Sequence, residues 1–202
     1  MGKSDMIPET DFLRPMRQTV LADDWGNLTK HEFQLKLRDG SWNSQRREVY
    51  DHGNAAACLL HNPMTDKVVL TRQFRLPVFL NEHDGYLIEA PAGLLEGIDP
   101  AARMKLELEE ETGFRVQHLE EVFTAFMSPG SVTEYLVFFI GTYSAQDRVS
   151  PGGGLASEGE DIEVLEITLS SAIQKIVTGE ICDAKTIMLL QHLAMKKAGL
   201  MP

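Results

Sequence analysis

One stretch of this sequence dictates its local structure more firmly than any other. Asp99-Pro100 opens a helix and Gly113 closes it, with strand-like runs on both sides. An N-cap Asp accepts from a first-turn amide, and Pro suits the first helical position because an N–H there would go unpaired. Gly adopts the left-handed backbone at the far end at little steric cost. Strand-like runs precede the helix: three within residues 20–50, then AAACLLHN, KVVLTRQFRLPV and YLIEAPAG. EVFTAFM, EYLVFFIGTYS and IEVLEITL follow it, and two helices close the chain, SSAIQKIVTG and a longer one capped by Asp183 and ending at Gly199. Strands, helix, strands, helices is not the alternation of a doubly wound parallel sheet. It predicts a mixed α+β domain.

The 202 residues suggest one domain with an appendage. Residues 1–19 read as an arm without period. Residues 20–50 read as a small antiparallel β-sheet domain with a turn at Asp39-Gly40, and residues 51–202 as the main domain. A three-stranded sheet of that size is marginal alone, so it must lean on the main domain or on a second copy of the chain. The formal net charge of −11 argues against a nucleic-acid partner, because neutralising a phosphate backbone takes surplus Lys and Arg. Cys58 and Cys182 lie in no metal-binding or disulfide pattern, which fits a reducing compartment. With no apolar targeting segment and no run long enough to span a bilayer, the sequence predicts a cytoplasmic protein without a membrane partner.

At the helical 100° per residue, Glu107, Glu110 and Glu111 share one arc with Arg103, while Ala101, Met104 and Leu108 face inward. On a solvated surface such like-charge neighbours cost only ~0.2–0.5 kcal/mol a pair, so a plain acidic face is one reading. Gathered at ~5 Å in a cleft of effective dielectric ~20, each pair repels by about 3 kcal/mol. A hard divalent cation offsets that cost, and a backbone carbonyl at Ala92-Gly93 stands ready to join.

The segment AGLLEGIDPAARMKLELEEETGF (92–114) resembles the Nudix box, whose pattern is G, five residues, E, seven residues, R-E-U-x-E-E-x-G-U with U apolar. Gly93, Glu107, Leu108, Glu110, Glu111, Gly113 and Phe114 match it. Asp99 replaces the first Glu, the box is one residue short, and Leu106 stands in place of the Arg before Glu107. Arg103, one turn back on the same face, is the proposed substitute. QRREVYDHGNAA, VVLTRQFR, LIEAPAGLLE and MSPGSVTEYLVFFI are similar to the ADP-sugar and GDP-sugar pyrophosphatases. The SPG-VTE loop, GGG before EDIEVLE, and TGEICDAKT resemble the bacterial GDP-mannose hydrolase branch, over about residues 20–195.

That resemblance implies a Nudix fold, a mixed β-sheet sandwiched by helices, whose small N-terminal sheet is exchanged in a homodimer. It implies hydrolysis of a nucleoside diphosphate sugar, with GDP-mannose ahead of ADP-ribose, and Mg²⁺ ahead of Mn²⁺ as cofactor. The Ala92 carbonyl, Glu107, Glu110, Glu111 and Glu160 would hold metal. Trp25 would stack on the base, and Arg46, Arg47, Glu48, Arg75, Gly93, Glu134 and Lys185 would touch substrate. Glu134 and Glu158 compete as the base that activates water, and the glycine-rich loop 150–161 reads as a hinged flap. Each has a plainer alternative: Trp25 as a packing anchor, Arg46 and Arg47 as charges guarding a sheet edge. Lys185 is a cation near a helix start, where anions are favoured, which marks it out. A rival reading is a Nudix protein that binds nucleotide sugars without cleaving them.

Overall fold

The computed structural model describes residues 8–201. The chain forms two compact units: one runs up to Gly53 and takes in Ser128–Glu134, and the other holds Asn54–Met127 and the chain from Tyr135 on.

The first unit is a three-stranded antiparallel sheet, β1 (Leu13–Asp23), β2 (Asn27–Lys36) and β3 (Trp42–Asp51), in that order. β1 starts earlier than the apolar alternation suggests and includes Pro15. Proline is tolerated there because β1 is an edge strand whose register shifts between Pro15 and Arg17. At the β2–β3 turn, Asp39 Oδ1 accepts from the Ser41 amide at 2.9 Å and its hydroxyl at 2.6 Å. The Ser41 hydroxyl bond is the main reason that the Asp39 pKa is lowered. Ser128–Glu134, which reads as a plain loop, adds a short parallel bridge to β3: Tyr50 N–H donates to the Ser131 carbonyl at 2.8 Å, and Thr133 N–H to that of Tyr50 at 3.1 Å.

The second unit is built on a mixed sheet. Its main path is β10 (Glu163–Thr168), β5 (Lys67–Phe74), β4 (Ala55–Asn62), β9 (Tyr135–Thr142) and β8 (Leu119–Phe126). β6 (Tyr86–Glu89) pairs with β5, and β7 (Ala92–Leu94) pairs with β4. β4 and β9 run parallel and the other pairs antiparallel.

β4 explains the unbroken AAACLL run, because both of its faces are covered. Ala55, Ala57 and Leu59 pack with Leu169 and Ala172 of α3 (Leu169–Thr178) and Leu189, Leu190 and Leu193 of α4 (Ala184–Lys197). Ala56, Cys58 and Leu60 pack with Met104 of α2 (Pro100–Glu107) and with Leu108 and Phe114 beyond it. Burial drives the Cys58 thiol pKa upward, which keeps it an inert core group. The RLPV segment, which the sequence extends as strand, turns instead into the short helix α1 (Leu76–Phe79), since Pro77 donates no ladder hydrogen bond.

Candidate active site

α2 begins as its residues dictate: Asp99 Oδ1 accepts from the Ala102 amide at 2.9 Å, and Pro100 occupies the first position. The regular helix expected over 100–112 stops at Glu107. Leu108–Thr112 form one wider π turn, ended by Gly113 at φ 78°. Two features open the ladder. The Thr112 hydroxyl donates back to the Leu108 carbonyl. The carbonyls of Glu110 and Glu111 accept from the amides of Gly154 (3.1 Å) and Gly153 (2.9 Å) on the following loop. The wheel drawn at 100° per residue therefore fails past Glu107. Glu111 turns inward to 2% exposure, while Glu110 is half-buried. Glu109 leaves the cluster altogether, held at 2.6 and 2.7 Å by Arg115, which lowers its pKa.

Arg103 occupies the place expected of a substitute for the missing box arginine. Its Nη2 lies 2.6 Å from Glu107 Oε1, and its Nε donates to the Leu94 carbonyl at 3.1 Å. Gly93 is required by closeness rather than by turn geometry: a Cβ there would stand 2.0 Å from Glu107 Oε1. A side chain at that position would expel the carboxylate.

The glycine-rich loop, expected to hinge, is held in this structure by its own backbone. Gly152, Gly153 and Gly154 adopt φ of 72°, 116° and 78°, and their backbone lies against the π turn. A Cβ on Gly154 would meet Glu160 Oε2 at 2.4 Å, and that oxygen accepts from the Leu155 amide at 2.8 Å. These glycines thus carry the close approach that sets Glu160 near the box carboxylates. Glu158 ends the short turn Ala156–Glu158; its side chain lies outside the described residues.

The Glu111 pKa is raised well above the ordinary carboxyl range, first by burial and then by the charges of Glu107 and Glu160. Arg75 opposes that rise and Glu89 adds to it. Glu89 is the member that sequence reasoning missed. Only 2% exposed, it accepts from Arg75 Nε at 2.8 Å through Oε2 and from Lys185 Nζ at 2.5 Å through Oε1. The signal lay in YLIEAPAG, an acidic residue inside a short apolar strand just before the box. The odd position of Lys185 is also resolved, because Glu89 and Asp183 (3.1 Å) hold it while Asp183 caps α4 through the Thr186 amide at 3.0 Å.

The second unit therefore brings together Glu107, Glu111, Glu160, Arg75 and Lys185, with Gly93 against Glu107. Ala92 pairs with Ala57 of β4 just before Gly93. Trp25, Arg46, Arg47, Glu48 and Glu134 belong to the first unit. Trp25 is 71% exposed and stacks on His52, ring centroids 5.3 Å apart and 21° from parallel. Arg46, Arg47 and Glu48 are exposed on β3, with Arg47 Nη2 donating to Gln45 Oε1 at 2.9 Å. Glu134 is half-buried at the end of the Ser128–Glu134 segment.

As metal ligands the carboxylates suit a hard cation. Their oxygens are of the right kind, their mutual repulsion calls for a positive charge, and buried Glu111 Oε2 has no hydrogen-bond partner among the described residues. Among those residues no three acidic, His or Cys side chains yet close around one point.

Residues 51–187 match the family model described as the NUDIX domain. The chain belongs to the Nudix family. Residues 13–50 match a second model, the GDP-mannose pyrophosphatase NudK N-terminal domain. Three similar relatives are named GDP-mannose pyrophosphatase. The one from Pectobacterium atrosepticum is 47% identical over 88% of this chain and 91% of its own. That from Klebsiella pneumoniae is 44% identical over 92% of both chains, and that from Escherichia coli 44% over 92% of this chain and 97% of its own. The α+β Nudix fold with a separate small antiparallel sheet is the fold expected from the sequence. Nudix hydrolases generally use a divalent cation such as Mg²⁺. No helix among the described residues is long and apolar enough to cross a membrane.

Proposed function

We propose that this Nudix hydrolase cleaves the pyrophosphate of a nucleoside diphosphate sugar, GDP-mannose in the first place, giving a nucleoside monophosphate and a sugar 1-phosphate. The observation that carries this reading is the Glu111 carboxylate, buried with an unpartnered oxygen among Glu107 and Glu160 and flanked by Arg75. That is a place where a divalent cation would offset the mutual repulsion of the carboxylates and the charge of a diphosphate. The similar relatives, named GDP-mannose pyrophosphatases, support the substrate.

In this reading Glu107, Glu111, Glu160, Glu110 and the Ala92 carbonyl hold Mg²⁺, with Mn²⁺ as second choice. When bound, the metal supplies charge neutralisation and a more acidic water. Arg75 and Lys185 bear on the phosphates, and Gly93 leaves room beside Glu107. Glu134, or else Glu158, takes the proton of the attacking water. The exposed Trp25 ring gives a face on which a purine stacks. The N-terminal sheet, expected over residues 20–50 and reaching back to Leu13 in the structure, is exchanged in a homodimer, so that Trp25, Arg46, Arg47 and Glu48 reach substrate beside domain 51–202. Exposed Phe12, Met16, Val20 and Leu21 on or beside β1 support such a pairing. The protein then works in the cytoplasm, free of nucleic acid.

The test is a panel of GDP- and ADP-sugars with Mg²⁺ or Mn²⁺, products being separated by chromatography. Fastest release of GMP and mannose 1-phosphate from GDP-mannose is expected. Faster cleavage of ADP-ribose would move the assignment to the ADP-sugar pyrophosphatases. Saturable binding of the panel without turnover would leave a nucleotide-sugar sensor.

A further inference from the structure

Four side chains of the second unit form a line of alternating charge: Asp183, Lys185, Glu89 and Arg75, joined at 3.1, 2.5 and 2.8 Å. Their side-chain exposures are 14%, 13%, 3% and 40%, so the line is closed to water except at Arg75. Arg75 reaches Glu89 through Nε. Its two terminal nitrogens have no hydrogen-bond partner among the described residues. A guanidinium tethered through Nε keeps a fixed, planar pair of N–H groups for a second anion, the arrangement that suits a phosphate. Glu89 is itself anchored. Its carbonyl accepts from the buried Thr71 hydroxyl at 3.2 Å, and the next amide, Ala90, donates to the Thr186 hydroxyl at 2.6 Å. Those two bonds tie the strand that carries Glu89 to β5, which Arg75 directly follows, and to the start of α4, which carries Lys185.

We propose that Glu89 is a positioning residue for the diphosphate of the substrate, locking the Arg75 fork and the Lys185 ammonium in one arrangement through its two carboxylate oxygens. Glu89 touches no reacting atom; it acts through the two cations. This role rests on the nucleotide-sugar reading of the site. It explains why a carboxylate stands beside an already acidic cluster, where it adds to the repulsion felt by Glu111. Without Glu89 the two cations would repel each other and Arg75 would rotate freely into solvent.

The test uses inorganic pyrophosphate as probe, titrated calorimetrically into the full-length protein at constant magnesium. Wild type, Glu89→Gln, Arg75→Ala and the double variant are compared, with folding checked by circular dichroism. Glu89→Gln is expected to weaken binding at least 10-fold. In the Arg75→Ala background the same change should cost less than 3-fold, since its target is gone. In steady-state assays Glu89→Gln should raise KM for GDP-mannose by about the same factor and change kcat less than 3-fold. Wild-type affinity in folded Glu89→Gln, or losses that multiply in the double variant, would overturn the proposal. Should Glu89→Gln not fold, Arg75→Lys serves in its place. It keeps the charge but has no fork to lock, and is expected to lose at least 5-fold; unchanged affinity would overturn the role. Because pyrophosphate binding is read without turnover of a nucleotide sugar, a protein inactive on the whole panel but showing these losses removes the activity while upholding the anion-positioning role.

Discussion

Glu111 is a carboxylate that water scarcely reaches, 2% exposed and with one oxygen lacking a hydrogen-bond partner among the described residues. Its raised pKa gives a stability prediction whose sign follows from proton counting. Below about pH 4.5 Glu111 is protonated in both states and the cost is absent. As the pH rises, the unfolded chain ionises first while the folded protein keeps its proton, so stability falls with pH until the folded group ionises too. Metal-free Glu111→Gln should therefore melt higher than metal-free wild type at pH 7.5 and equally near pH 4, as read by calorimetry. Mg²⁺ should raise the melting temperature of wild type but not of the variant, whose turnover should fall by several orders of magnitude. Arg103→Ala frees Glu107 from its 2.6 Å partner and should weaken metal affinity ~10–100-fold in a Mn²⁺ titration. That partner was legible in the sequence, because residues four apart on a helix meet whatever the rest of the fold does. Glu89 was not, because its two cations come from residues 75 and 185, far from it along the chain. Glu134→Gln and Glu158→Gln, compared side by side in steady-state assays, should separate the base, the true one losing turnover by orders of magnitude and the other keeping it within about 10-fold.

Among the elements, α2 and the loop behind it behave as one device. The caps at Asp99 and Gly113 are local chemistry, so the start and stop of the segment are readable from residue types. The π turn between Leu108 and Thr112 is not, because the Gly153 and Gly154 amides that take the freed carbonyls arrive from a distant loop. The same remoteness explains why three consecutive glycines read as a hinge. Locally they signal freedom; in the fold they are the residues thin enough to lie against the turn. Gly154→Ala tests this. A side chain at φ 78° costs about 1–2 kcal/mol, so the melting temperature should drop by roughly 2–8 °C. Its Cβ, 2.4 Å from Glu160 Oε2, should push that carboxylate away. Turnover should then fall far more than stability does, with the circular dichroism spectrum unchanged; full activity would return the loop to the role of a solvated connector.

For the whole molecule, the small sheet poses the sharpest question, since a three-stranded sheet is marginal alone and Phe12, Met16, Val20 and Leu21, on or beside its edge strand β1, are exposed. Sedimentation equilibrium should give a dimer, and removal of residues 1–50 a monomeric remainder with KM for GDP-mannose raised at least 10-fold through loss of Trp25, Arg46 and Arg47. A full-length monomer with normal KM would end the exchange reading. The sequence by itself determined the order of the longer strands and helices, the capped helix, the apolar run buried on both faces, and the identity of the acidic box, all properties of neighbours along the chain. Only the tertiary structure decided which carboxylates are stripped of water, which cations brace one another, and what the glycines are for. Those outcomes depend on segments brought together by the packing of a mixed sheet between two layers of helices, and no local pattern specifies which distant atom will complete a hydrogen bond.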